Sequence, residues 1–135
     1  MNNTHTSKIL VAEDNEDSRL MLSLFLRILD YIVIEAKNGE EAVRLAQLEE
    51  PDLILMDLNM PELDGITAAT VIRHLAKLSD VPILATSGDG GRGIDLFLNI
   101  KKMGSGYIGY ITKPISLEDL AEQIKTALVR VQKAA

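Results

Sequence analysis

The chain has 135 residues, 47 % hydrophobic and 25 % charged, with a net charge of −6 and a pI near 4.9, the size and balance of one compact domain. The acidic surplus argues against direct nucleic-acid binding, which needs a basic stripe, and leaves carboxylates for a cation site. The absence of cysteine excludes disulfides, thiolate metal sites and cysteine nucleophiles, and no apolar run approaches the ~18 residues that cross a bilayer.

Residues 1–6 read as a disordered tail, 7–131 as one domain, and 132–135 as a C-terminal tail. The polar start, Met1 to Ser7, lacks the basic-then-apolar order of a signal peptide, so a cytoplasmic location without membrane contact is expected. Lys8–Ala12 reads as a buried strand ending at the acidic pair Glu13-Asp14. A helix over Glu16–Leu29 follows, with Asn15 placed to cap it. That helix is apolar nearly all round (Leu20, Met21, Leu22, Leu24, Phe25, Leu26, Ile28, Leu29), which predicts deep packing ahead of the alternative that its excess covers a neighbouring subunit. Ile32–Ala36 is a second strand, followed by Asn38-Gly39 turn chemistry and a short helix, Glu40–Leu48, broken by Pro51.

Leu53–Asp57 is a third strand, again closing on a carboxylate. Pro61 and Asp64-Gly65 punctuate a loop before a helix over Ile66–Ala76. Val81–Thr86 is a fourth strand ending near Ser87, and Gly88–Gly93 is a glycine-rich loop. A helix over Asp95–Met103, a fifth strand over Tyr107–Thr112 and a last helix over Leu117–Val131 complete the chain. The last helix carries an i, i+3, i+4, i+7 stripe of Leu117, Leu120, Ala121, Ile124, Leu128 and Val131. Five apolar strands alternating with helices predict a parallel α/β sheet covered on both faces, with right-handed crossovers.

Ligands of such sheets bind outside the carboxyl ends of the strands. Those ends deliver Glu13 and Asp14, then Asp57 with Asn59 two residues on, then Ser87, then Lys113 before Pro114. Crowded carboxylates repel one another unless a cation sits among them. All-oxygen ligands that leave room for a phosphate suit Mg2+. Phosphoryl transfer needs positioning and charge neutralisation. Mg2+, the Lys113 ammonium and the Ser87 hydroxyl would supply these around Asp57 as carboxylate nucleophile.

The segments Ile9–Asn15, Asp52–Pro61, Pro82–Ser87 and Tyr110–Pro114 together resemble the receiver domain of two-component response regulators, over roughly residues 7–131 and in the family's order. Four motifs, each closing a predicted strand, are specific where one alone would be weak. The resemblance implies a flavodoxin-like, doubly wound five-stranded sheet of order 2-1-3-4-5 with five flanking helices. It implies that Asp57 is phosphorylated by a sensor histidine kinase or a phosphotransfer protein. Asp14 would then bind Mg2+ directly, Glu13 through water, Asp57 by its carboxylate and Asn59 by its backbone carbonyl. Ser87 would be the switch hydroxyl, Lys113 the phosphoryl contact, and Tyr110 the aromatic that moves inward. The signal would leave through the fourth helix, fifth strand and fifth helix toward a protein target the sequence does not name. Beyond autocatalytic phosphorylation and self-dephosphorylation, no enzyme activity is expected. Asn59 and Asp89, each two residues after a site residue, would flank the attacking water.

The interval from Ser87 to Lys113 is about four residues longer than the family usually shows, and Tyr107-Ile108-Gly109 stands where small and acidic residues are common. These departures keep open a degenerate receiver that serves as a binding scaffold. A haloacid-dehalogenase-type phosphatase would need an acid two residues after its nucleophile, and that position is Asn59. His5 and His74 read as surface residues. The glycine-rich loop lacks the Gly-Lys-Ser/Thr ending of a nucleotide-binding loop.

Overall fold

A computed structural model describes residues 6–60, 65–88 and 108–134. Five parallel strands, β1 (Lys8–Ala12), β2 (Ile32–Ala36), β3 (Leu53–Asp57), β4 (Ile83–Ser87) and β5 (Ile108–Thr112), form one sheet of order β2-β1-β3-β4-β5. The expected order is therefore met. The described residues include four α-helices: α1 (Glu16–Ile28), α2 (Gly39–Glu49), α3 (Gly65–His74) and a C-terminal helix (Leu117–Ala134) that runs past the expected end at Val131. The helix expected over Asp95–Met103 lies outside the described residues.

Period-2 alternation sends successive strand residues to opposite faces, and the core divides accordingly. Leu10, Ala12, Ile54, Met56, Ile83 and Ala85 pack with the α2 and α3 residues Ala42, Ala46, Ala69 and Ile72. Ile9, Val11, Leu53, Leu55, Leu84 and Ile111 pack on the other face with Leu22, Leu26, Leu120, Ile124 and Ala127. A sheet buried on both sides needs apolar residues at every position, which is why its central strands read as unbroken hydrophobic runs.

Capping sets the helix starts. Asn15 Oδ1 accepts from Ser18 N at 2.8 Å, and Glu16 and Asp17 fill the first turn of α1, where acids favour the positive helix end. Asn38 caps α2 in the same way, accepting from Glu41 N at 2.8 Å. Asn38-Gly39, expected as a turn, is thus a helix N-cap and first helical residue. The helix expected over Ile66–Ala76 ends at His74 instead and gives way to a 3-10 turn at Ala76–Leu78. Arg73, buried at 4 % exposure, donates from Nη1 to the Leu78 carbonyl at 3.1 Å across that junction.

The expectation that α1 is deeply packed is overturned. It buries Leu22, Ser23 and Leu26, while Leu20, Met21, Leu24 and Ile28 face outward, Ile28 at 77 % exposure. A helix lying on one face of a sheet can hide only the stripe that meets it. Apolar side chains around the rest of its circumference remain exposed whatever their hydrophobicity.

Candidate functional site

Backbone bonds carry the sheet past its strand ends and set the site. Glu13 N donates to Ala36 O at 3.0 Å, Leu58 N to Thr86 O at 2.9 Å, and Lys113 N to Ser87 O at 2.9 Å. The residue after β1 therefore stays tied to β2, the residue after β3 to β4, and the residue after β5 to β4. Each candidate side chain leaves from a braced position on one rim.

Lys113 Nζ lies 3.2 Å from Asp57 Oδ2 and 3.1 Å from Glu13 Oε1. The two carboxylates are nearly fully buried, while the ammonium reaches them from a half-buried position. Glu13, Asp14 and Asp57 each offer an oxygen, and these oxygens all lie within 4.8 Å of one another. Asp14 is exposed and Asp57 buried, so the cluster opens to solvent on one side.

Burial, and then the negative charge of Asp57, push the Glu13 carboxyl above its ordinary value. Burial works against the charge on Lys113 too, but Asp57 and Glu13 outweigh it and hold the ammonium above its usual range. Among the described residues, a single monovalent cation thus serves two buried carboxyl groups, with a third acid beside them. An all-oxygen donor set with surplus negative charge and an open side fits a hard divalent cation such as Mg2+.

The structure brings Glu13, Asp14, Asp57, Asn59, Ser87 and Lys113 to this rim. Asn59 N donates to Asp57 Oδ1 at 3.0 Å. Ser87 is buried at 1 % exposure, with Thr112 its register partner on β5. Tyr110, half-buried, pairs with Ala85 and packs on the α2 and α3 side. Asp89 and most of the glycine-rich loop lie outside the described residues.

Several contacts escape sequence reasoning. The bond from Lys113 to Glu13 joins residues 100 positions apart, and nothing in local spacing announces it. Arg19 Nη1 donates to the Glu13 carbonyl at 2.9 Å while its Nε meets Glu35 at 3.2 Å, tying α1 to the rim and to β2. Asn59, expected to act through its carbonyl, also donates from Nδ2 to Ser87 Oγ at 3.2 Å. Its position two residues after Asp57 was the available signal.

A doubly wound parallel sheet with an acid cluster and a lysine at its carboxyl rim places these side chains where open α/β sheets bind their ligands. The chain belongs to the response regulator receiver domain family, whose model matches residues 9–125. It is 39 % identical over 128 residues to "Probable transcriptional regulator ycf27" of Porphyridium aerugineum, covering 95 % of this chain and 50 % of that protein. It is 39 % identical over 127 residues to the transcriptional regulatory protein PdtaR of Mycobacterium tuberculosis, covering 93 % of this chain and 58 % of that one. The chain thus spans about half the length of the curated relatives it matches.

Among solved structures, it superposes on the receiver domain of sensor histidine kinase PA1611 of Pseudomonas aeruginosa with a TM-score of 0.80 and 31 % identity, covering 92 % of this chain and 98 % of that one. That structure has a magnesium ion coordinated in its active-site cleft. The chemotaxis protein CheY4 of Vibrio cholerae matches with a TM-score of 0.82 and 26 % identity, covering 91 % and 99 %. No helix among the described residues is long and apolar enough to cross a membrane.

Proposed function

We propose that this chain is a phospho-acceptor signalling domain of a two-component system, in which Asp57 takes a phosphoryl group from a histidine kinase or phosphotransfer protein and switches a protein-interaction surface. The observation that carries this reading is Lys113 Nζ held 3.2 Å from Asp57 within a cluster of three carboxylates. An isolated strand-end aspartate has a structural explanation. One flanked by a buried glutamate, a second aspartate and a lysine from another strand is set up for chemistry.

Glu13, Asp14, the Asp57 carboxylate and the Asn59 carbonyl would hold Mg2+, Glu13 through water. Bound there, the ion supplies charge neutralisation for the incoming phosphoryl group. Asp57 Oδ attacks phosphorus, the phosphorus–nitrogen bond of the donor phosphohistidine breaks, and the departing imidazole takes a proton from solvent. Lys113 exchanges a carboxylate oxygen for a phosphoryl oxygen, and Ser87 donates its hydroxyl hydrogen to another. The inward movement of Ser87 vacates space that Tyr110 enters.

The change is a population shift between two packings, expressed on β5 and the C-terminal helix together with the expected fourth helix, which lies outside the described residues. The output is contact with another protein, in the cytoplasm. Self-dephosphorylation by water is the only further chemistry in this reading, and the acidic composition supports no direct nucleic-acid contact by this chain.

Incubation with acetyl phosphate and Mg2+, followed by intact-mass measurement, tests the proposal. One phosphate-sized gain is expected for the wild-type chain, and none for Asp57→Asn or after chelation. A gain that persists in Asp57→Asn places the acceptor elsewhere and defeats the assignment.

A further inference from the structure

Asn59 touches both the proposed acceptor and the proposed switch. Its backbone N–H donates to Asp57 Oδ1 at 3.0 Å, and its side-chain Nδ2 donates to Ser87 Oγ at 3.2 Å. Ser87 is buried and its hydroxyl is held from a position 28 residues away in sequence, across the gap between β3 and β4. The first bond ties the Asn59 backbone to Asp57, and from that tethered position its side-chain amide reaches the hydroxyl.

We infer that Asn59 is a positioning residue that latches Ser87 in its resting place, so that a phosphoryl group on Asp57 must draw the hydroxyl away from the amide. This rests on the phospho-acceptor reading above and adds to it the device that sets its resting state. A hydrogen bond made only in the resting packing stabilises that packing alone, and an equilibrium shifts by the difference in interaction between its two states. The amide also becomes free, once Ser87 departs, to donate to solvent at its exposed position, which keeps the cost of opening small. Asn59 thereby holds the unphosphorylated domain off without blocking the phosphorylated one.

Removing the latch should make activation easier, whereas loss of an ordinary supporting contact would make it harder. The test titrates beryllofluoride into the full chain at saturating Mg2+ and follows the Tyr110 ring resonances, in the wild type, Asn59→Ala, Ser87→Ala and the double variant. Asn59→Ala is expected to lower the beryllofluoride midpoint about 2- to 10-fold, the worth of one neutral hydrogen bond at a partly exposed site. In the Ser87→Ala background the same substitution should leave the midpoint unchanged, because no hydroxyl remains to be held. An unchanged or raised midpoint in Asn59→Ala, or an equal shift with and without Ser87, overturns the latch while leaving the acceptor assignment standing. A wild-type chain whose Tyr110 ignores beryllofluoride overturns both.

Discussion

At the amino ends of the strands, Lys8, Asp52 and Lys77 each meet a partner of opposite sign or a backbone group; at the carboxyl ends, two buried carboxylates share one ammonium among the described residues. The amino-end contacts are local closures. Asp52 Oδ2 accepts from Lys8 N at 2.7 Å, Lys8 Nζ donates to Glu49 O at 3.0 Å, and Lys77 sits 3.7 Å from Glu50. A cavity of about 310 Å³ opens there, lined by Glu50, Asp52, Lys77 and Asp80 among others, but its acids are already engaged with neighbours. At the carboxyl ends, Glu13 is driven toward protonation by burial and by Asp57. The same sheet thus spends charge on stability at one end and stores repulsion at the other, and stored repulsion is what a cation or a phosphoryl switch can act on.

This contrast breaks first at Lys113. Lys113→Met removes the sole ammonium within reach of Glu13 and Asp57 among the described contacts, and should lower metal-free stability by about 2 kcal/mol, below the full loss for a buried pair because the lysine is partly exposed. Urea unfolding in EDTA measures this, and saturating Mg2+ should recover most of the loss. At the other end, Asp52→Ala deprives the Lys8 N–H of its acceptor and should cost about 1 kcal/mol. Its Mg2+ response should match the wild type, and a changed response would tie the two ends together.

Glu13→Gln should act in the opposite direction. A carboxyl raised above 4.5 in the folded state binds more protons folded than unfolded, so stability falls as pH rises from 4.5 through the folded value and is regained on acidification across that window. In EDTA, the wild type should therefore gain stability as pH drops from neutrality toward 4.5, and Glu13→Gln should be more stable at neutral pH with a flatter profile. An unchanged profile would locate the repulsion elsewhere. The smallest effect belongs to Lys77→Ala. Its exposed pair with Glu50 should change the urea midpoint by less than about 0.5 kcal/mol.

Much of this was legible in the chain. The strands over Lys8–Ala12, Ile32–Ala36 and Leu53–Asp57 match their predicted limits because each is a short apolar run closed by charged or turn-forming residues. The Asn15 cap is equally local. A boundary slipped at α3, where the chain leaves the helix after His74 for a 3-10 turn and Arg73 bridges the junction to the Leu78 carbonyl. The outward face of α1 was misread because hydrophobicity says how much a helix would bury, while the width of its contact with the sheet says how much it can.

The order of apolar and polar residues along the chain determined the strand count, the parallel winding and which acids, hydroxyl and lysine leave the strand ends, since these follow from short apolar runs, their closing residues and their alternation with helices. Only the folded structure decided that one lysine spans Glu13 and Asp57, and that the Asn59 amide holds Ser87. Those contacts join residues 28 to 100 positions apart. At that separation, the register of neighbouring strands, rather than any local preference, sets which side chains meet.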